Sequence, residues 1–172
     1  MIPLIFIYSH DSVFQDVKQE ASLLAVRKRD QKGNSEDNDG NSYFDLFVFD
    51  DAYLVKFREL FFDAQAEVTP VLSAYMKLNP PGHGYFETLD FTKDVDCTFD
   101  LIMPDDFLMA LSKPVDIKIR QFFIAYIMYR WLETKMFEEA SIYRERAYSL
   151  LDEIKSLLEK RVKPIRRWHG YW

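Results

Sequence analysis

The chain has 172 residues, a length that suits one domain, and 48% of them are hydrophobic, enough for a substantial core. A net charge of −6 argues against nucleic-acid binding by bulk charge. The single cysteine, Cys97, excludes a disulfide framework within the chain and a thiolate metal cluster.

Charge is unevenly spread. Between Glu36 and Asp51 stand Glu36, Asp37, Asp39, Asp45, Asp50 and Asp51 with no Lys or Arg. Between Lys160 and Trp172 stand Lys160, Arg161, Lys163, Arg166 and Arg167 with no acid. Such asymmetry suggests ends that meet differently charged partners. The aromatic count is also high, with 15 Phe and 10 Tyr. Aromatics supply large contact area in cores and are enriched at protein–protein interfaces.

Ile2 to Tyr8 is a β-branched and aromatic run that holds Pro3. It reads as an edge strand, where proline is tolerated, or as an arm that docks on another chain. The opening MIPLIFIYSHD lacks a basic start and a small-residue cleavage site, so it is a poor signal peptide. Cap-type residues at Ser9 to Asp11 then precede a helix over about residues 12–28, with Val13, Val17, Ala21 and Leu24 on one stripe. Asp30 to Ser42 is a loop rich in Gly, Asn, Asp and Ser. Its acids lack the closing bidentate Glu of a calcium loop.

Tyr43 to Phe49 is a short aromatic run of strand or extended type. The second long helix is expected over about 51–77, with Leu54, Phe57, Phe61, Ala64, Val68, Val71 and Tyr75 in steps of three and four. Pro70 lies inside that pattern and predicts a kink near 66–69, or a break. After NPPGHG, Tyr85 to Phe91 and Asp96 to Met103 alternate as two strands joined at Thr92 to Val95, which fits a β-hairpin. A lone hairpin is marginal in water, so it must pack on helices or pair elsewhere. A short helix is expected from Pro104 to about Leu111, and Pro114 with Asp116 opens the next.

The stretch from Ile117 to Lys163 organises the chain. Phe122 to Tyr129 has no polar face, which marks a helix buried against several neighbours, and it is too short to span a bilayer. Thr134 to Phe137 connects it to a last helix whose seam is Ala140, Tyr143, Ala147, Leu150, Ile154 and Leu157. Arg161 falls one heptad past Ile154, where the seam would want an apolar residue. The intramolecular seam is therefore expected to end near Leu158, with contact to another subunit beginning there. The fold class that follows is mainly α. It is an antiparallel helical bundle with a β-hairpin insertion and extended N- and C-terminal arms, in a single domain over 1–172.

No catalytic signature is visible. His10, His83 and His169 stand far apart in loops or termini, and the chain has no P-loop, no G-x-G-x-x-G and no nucleophile elbow. The acid pairs Asp50–Asp51, Asp105–Asp106 and Glu138–Glu139 all precede helices, where charge–dipole stabilisation accounts for them. No enzyme, cofactor or metal site is expected. The tail carries Arg166, Arg167, Trp168, Tyr171 and Trp172, which suit phosphates and stacked bases or, as favoured here, an interface on a partner protein.

Three segments carry a family resemblance: SVFQDVKQEASLLAVRKRD, FDDAYLVKFRELFFDAQAEVTPVLSAYM, and the run from Phe122 to Arg167. The last joins YRWLE to an E-E-A-x-x-Y helix start and an R-x-x-P-x-R-R end. The chain resembles the head–tail connector (adaptor) proteins of tailed bacteriophages. The hairpin resembles an insertion in connectors of phages of Bacteroides-type hosts, including the crAss-like group. The resemblance implies a structural virion protein at the head–tail interface, assembled in the bacterial cytoplasm. It would form a ring, typically of twelve copies, under the portal protein. The ring would surround the channel for double-stranded DNA, without specific binding, and present a surface to tail or further neck proteins. No membrane is involved in such a role. In that setting Arg161, Arg166, Arg167, Trp168, Tyr171 and Trp172 would face the portal or adjacent ring, and Phe86, Phe99 and Ile102 would make subunit contacts. The alternative is a nucleic-acid-binding helical protein acting through the basic aromatic tail.

Overall fold

A computed structural model describes residues 1–31, 53–77 and 96–162. Its described elements are β1 (Ile2–Tyr8), α1 (His10–Gln31), α2 (Leu54–Leu72), β2 (Cys97–Met103), α3 (Ser112–Leu132) and α4 (Phe137–Glu159), with a 3₁₀ turn at Met109–Leu111 before α3. The protein is mainly helical, with one small antiparallel two-stranded β unit.

The centre is α3. Val115, Ile119, Phe122, Phe123, Ala125, Tyr126, Ile127, Met128, Trp131 and Leu132 are all buried along it. A helix apolar on nearly every side needs a neighbour on every side, and α3 packs against α4, α2, α1 and β1. Pro114 sits in its first turn, where its missing N–H costs no helical hydrogen bond. Helix α4 runs back along α3 and buries Ala140, Tyr143, Ala147, Leu150, Ile154 and Leu158. Leu157, expected on that seam, is only partly buried; Leu151 and Leu158 take its place. The tight connection is Glu133 to Met136. Lys135 in this turn lies 3.8 Å over the Trp131 ring and 5.7 Å from the Tyr53 ring, joining it to the entry of α2.

Helix α1 starts two residues earlier than expected and runs three further. Val13 N–H closes its first turn on the Ser9 carbonyl at 3.1 Å. Its N-terminal His10 is buried, with its ring edge-on to Phe57 at 4.9 Å and to Phe61 at 5.6 Å. It is a core histidine rather than a loop residue.

Helix α2 buries Phe57, Phe61, Ala64 and Val68 as expected, adds Leu60 and Leu72, and leaves Leu54, Val71 and Tyr75 partly buried at the edge of the core. It stays a single helix through Pro70 and ends two residues later. Placed there, proline disrupts only the last turn. The Thr69 hydroxyl donates to the Gln65 carbonyl at 2.7 Å, and the Ser73 hydroxyl donates to the Pro70 carbonyl at 2.7 Å. Pro70 therefore sits in the final turn instead of breaking the helix in the middle.

Aromatic side chains tie the layers together. Ring centroids step from Phe14 to Phe57 (4.9 Å), Phe57 to Phe61 (6.2 Å), Phe61 to Phe123 (5.1 Å), Phe123 to Tyr8 (5.5 Å) and Tyr8 to Phe99 (6.2 Å). One continuous path of rings crosses α1, α2, α3, β1 and β2. Much of the aromatic excess in the described residues thus serves the core, each buried Phe contributing roughly 1.5–3 kcal/mol of apolar transfer.

The β unit has an unexpected pairing. Cys97–Met103 pairs antiparallel with Ile2–Tyr8, in the register Ile2↔Met103, Leu4↔Leu101, Phe6↔Phe99 and Tyr8↔Cys97. The strand expected at Tyr85 to Phe91 and its connection at Thr92 to Val95 lie outside the described residues, as does the run at 43–49. Of the loop expected at Asp30 to Ser42, the first two residues are helical and end α1, and the rest lies outside the described residues. Of the two readings of the N-terminal run, the edge strand holds within this chain. Both strands alternate cleanly: Leu4, Phe6, Tyr8, Cys97, Phe99, Leu101 and Met103 face the helices. The helix expected at 104–111 is also replaced. Pro104 to Phe107 forms a turn, closed by Phe107 N–H on the Pro104 carbonyl at 3.0 Å, and only Met109–Leu111 is helical, as a 3₁₀ turn.

Candidate functional site

The last described residues gather where α4 ends against the turn that follows β2. Phe107 and Arg161 form an antiparallel bridge, and Val162 N–H donates to the Asp106 carbonyl at 2.8 Å. The Arg161 guanidinium donates through Nη1 to the Leu158 carbonyl at 2.7 Å and the Lys160 carbonyl at 3.2 Å, while Nε lies 3.4 Å from Asp106 Oδ1. Its side chain is only 17% exposed. Arg161 thus does sit past the end of the seam, but its charge is engaged inside the chain. It caps the orphan carbonyls of α4 and latches the helix to the post-β2 turn. Phe107 is buried beside it.

The neighbouring acid has a partner too. The N-terminal amine of Met1 pairs with Asp105. Asp105 and Asp106 therefore hold the chain start and the end of α4, rather than opening a helix. Glu139 is another acid with more than a dipole role. It is nearly buried in the first turn of α4 and pairs with Lys28 of α1. Beside it, the Tyr143 hydroxyl donates to Glu20 Oε1 at 2.9 Å, and Arg146 Nη1 lies 3.7 Å from the same oxygen. These groups line a cleft of about 300 Å³ between α1 and α4. Burial, then the bond to Glu20, pushes the Tyr143 hydroxyl pKa well above its ordinary value, so it stays a neutral donor. Across the fold, Arg120 holds Asp16 at 2.6 Å and the Ser12 hydroxyl at 2.7 Å, and Tyr8 donates to Asp116 Oδ1 at 3.1 Å. All of these contacts join elements far apart in sequence. They position helices.

The expected interface residues divide sharply. Phe99 is fully buried, edge-on to Tyr8, and serves the core instead of a subunit contact on the surface. Ile102 is half-buried on the outer face of the β unit, and its N–H donates to the Tyr75 carbonyl at 2.7 Å. Phe86, Arg166, Arg167, Trp168, Tyr171 and Trp172 lie outside the described residues, as do His83 and His169. What sequence reading missed is the exposed outer face of β1, where Ile5 is 61% and Ile7 64% exposed. Its signal was present in the alternation of the run. With Leu4, Phe6 and Tyr8 on one face, Ile5 and Ile7 have to point the other way.

Burial pushes the Cys97 thiol up to about 12, so it stays neutral and unreactive near neutral pH. Among the described residues, no group of three or more His, Cys, Asp or Glu side chains is placed to hold a metal ion. No described helix is long and apolar enough to cross a membrane. Comparison with protein-family models, curated proteins and solved structures finds no match for this chain.

Proposed function

We propose that this chain is a structural subunit of an oligomeric ring in the neck of a tailed bacteriophage, joining the portal to tail components around the DNA channel. The observation that carries the reading is the resemblance of three segments to head–tail connector proteins. Those segments coincide with α1, α2 and the α3–α4 pair, the helices of a single core. The same reading extends to a twelve-copy ring in the virion, of the kind found in crAss-like phages. In it, DNA passes through without specific binding, and tail or further neck proteins attach to the free face.

In this scheme the C-terminal residues after Val162, with Arg166, Arg167, Trp168, Tyr171 and Trp172, reach the portal or the adjacent ring. Arg161 supports that delivery from within by fixing where the chain leaves the core, at the post-β2 turn. The direct test is negative-stain electron microscopy of purified protein mixed with the portal protein of the same phage. Rings on the portal are expected. Protein that stays monomeric with portal at high concentration overturns the reading.

The run of Arg and Lys after Glu159 favours a second reading, a helical protein that binds nucleic acid through its tail. Counterion release then demands affinity that falls steeply with salt and is lost on removing residues 163–172. Binding to DNA that is flat across a salt titration excludes it.

A further inference from the structure

The two edges of the β unit are unlike. Beyond β2, the Ile102 N–H donates to the Tyr75 carbonyl at 2.7 Å, and the Lys77 N–H donates to the Asp100 carbonyl at 3.0 Å. Asp100 and Ile102 therefore turn their main-chain groups away from β1. By the alternation of antiparallel ladders, Cys97, Phe99, Leu101 and Met103 turn theirs toward it, opposite Tyr8, Phe6, Leu4 and Ile2. It follows that Pro3, Ile5 and Ile7 direct their main-chain groups to the far edge of β1. Among the described residues, no strand pairs with that edge.

Natural edge strands are blunted by charges, by Pro or by a bulge. IPLIFIY contains no charge, and Pro3 guards only its first residues. Ile5 and Ile7 stand 61% and 64% exposed on the outer face. Beside the edge lies an open groove of about 410 Å³, walled by Leu4 to Ile7 and by Ser112, Lys113 and Asp116 at the start of α3.

We infer that this edge pairs with β1 of a second copy, antiparallel about a two-fold axis at Phe6. The proline selects the register. Centred on Ile5, the pairing would set Ile7 opposite Pro3, and the Ile7 carbonyl would find no donor. Centred on Phe6, Ile5 faces Ile7 of the second copy, and each exchanges both hydrogen bonds with no contribution asked of Pro3. That arrangement also sets isoleucine against isoleucine on the exposed face, a β-branched cross-strand pair of the favoured kind. An uncharged, self-complementary edge fits a second copy of itself better than it fits a charged segment.

Such a contact is isologous and closes on two copies, whereas a ring needs a head-to-tail contact through other surfaces. It stands apart from the connector reading, and failure of either leaves the other intact. The test uses two full-length variants, Ile5→Lys with Ile7→Lys, and Ile5→Glu with Ile7→Glu, studied by sedimentation and by amide exchange. Both positions are exposed, so each variant should keep the far-ultraviolet circular dichroism of the parent.

Wild-type protein is expected to dimerise, with Ile5 and Ile7 amides gaining protection as concentration rises. Each variant should dissociate roughly tenfold or more readily, because like charges then stand directly opposite. The two variants mixed should regain the dimer. The inference is overturned by a wild type that stays monomeric with both amides exchanging freely. Protection independent of dilution overturns it as well, since the edge is then filled by its own chain. So does association that the lysine variant leaves unchanged.

Discussion

Arg161 shows how one side chain can end a seam without leaving the molecule. Its guanidinium meets two carbonyls at the end of α4 and the Asp106 carboxylate, while Val162 bonds the Asp106 carbonyl. Arg161→Ala should lower stability by about 1 kcal/mol in thermal or urea denaturation. Most of that comes from the lost cap, since solvent reaching the half-exposed Asp106 carboxylate screens the ion pair. Phe99 makes the opposite case. As a fully buried ring, its replacement in Phe99→Ala is expected to cost about 3–5 kcal/mol, far more than the trimming of a surface contact. Cys97 supplies a pH signature. Its pKa rises from 9.0 to about 12 on folding, so between those values the native state holds the proton that the unfolded chain has lost. Stability is then complete below pH 9 and falls as pH climbs through the folded pKa, by up to about 1.4 kcal/mol per pH unit. Urea midpoints measured from pH 8 to 10.5 should begin to drop near pH 9. In Cys97→Ala, whose midpoint is lower throughout, the drop should begin only near pH 10, where the buried tyrosines take over.

At the scale of elements, period and composition were enough to locate the four long helices, but not to tell the turn at 104–111 from a short helix. Phe122 to Tyr129 announced an all-round buried helix, and the three-four spacing from Ala140 to Ile154 marked the face of α4, because both signals are local in the chain. The proline in α2 was seen, but its consequence depended on where the helix stops. With Leu72 as the last helical residue, Pro70 deprives only the final turn of one bond. Pro70→Ala should therefore change stability by less than about 1 kcal/mol, against the roughly 3 kcal/mol expected for a mid-helix proline. A larger gain in the melting curve would show that Pro70 strains the helix more than its position implies. The strand at Cys97–Met103 was legible from alternation. Its partner was not, since any strand of suitable face could have satisfied its main chain.

At the scale of the whole molecule, the core of the described residues closes with Leu158 and the latch at Arg161, while every remaining interface candidate in the tail lies beyond Val162. A chain ending at Val162 is expected to keep the wild-type melting temperature within a few degrees and, on the proposed function, to lose association with the portal. Unfolding of that truncation would mean that the tail contributes to the core. Interface residues proved hard to separate from core residues at this scale. Phe is enriched at protein–protein interfaces as well as in cores, so for Phe99 and the Phe57–Phe61–Phe123 rings only burial tells the two apart.

By itself, the sequence determined the helical class, the positions of α1 to α4 and the buried faces of most of them, because hydrophobic period acts between residues a few places apart. Only the tertiary structure decided that Ile2 pairs with Met103, that Met1 and Arg161 meet Asp105 and Asp106, and that Lys28 meets Glu139. These partners are brought together by the packing of α3 against all its neighbours. Their encounter depends on loop closure over long stretches of chain, for which no local pattern of residues carries a signal.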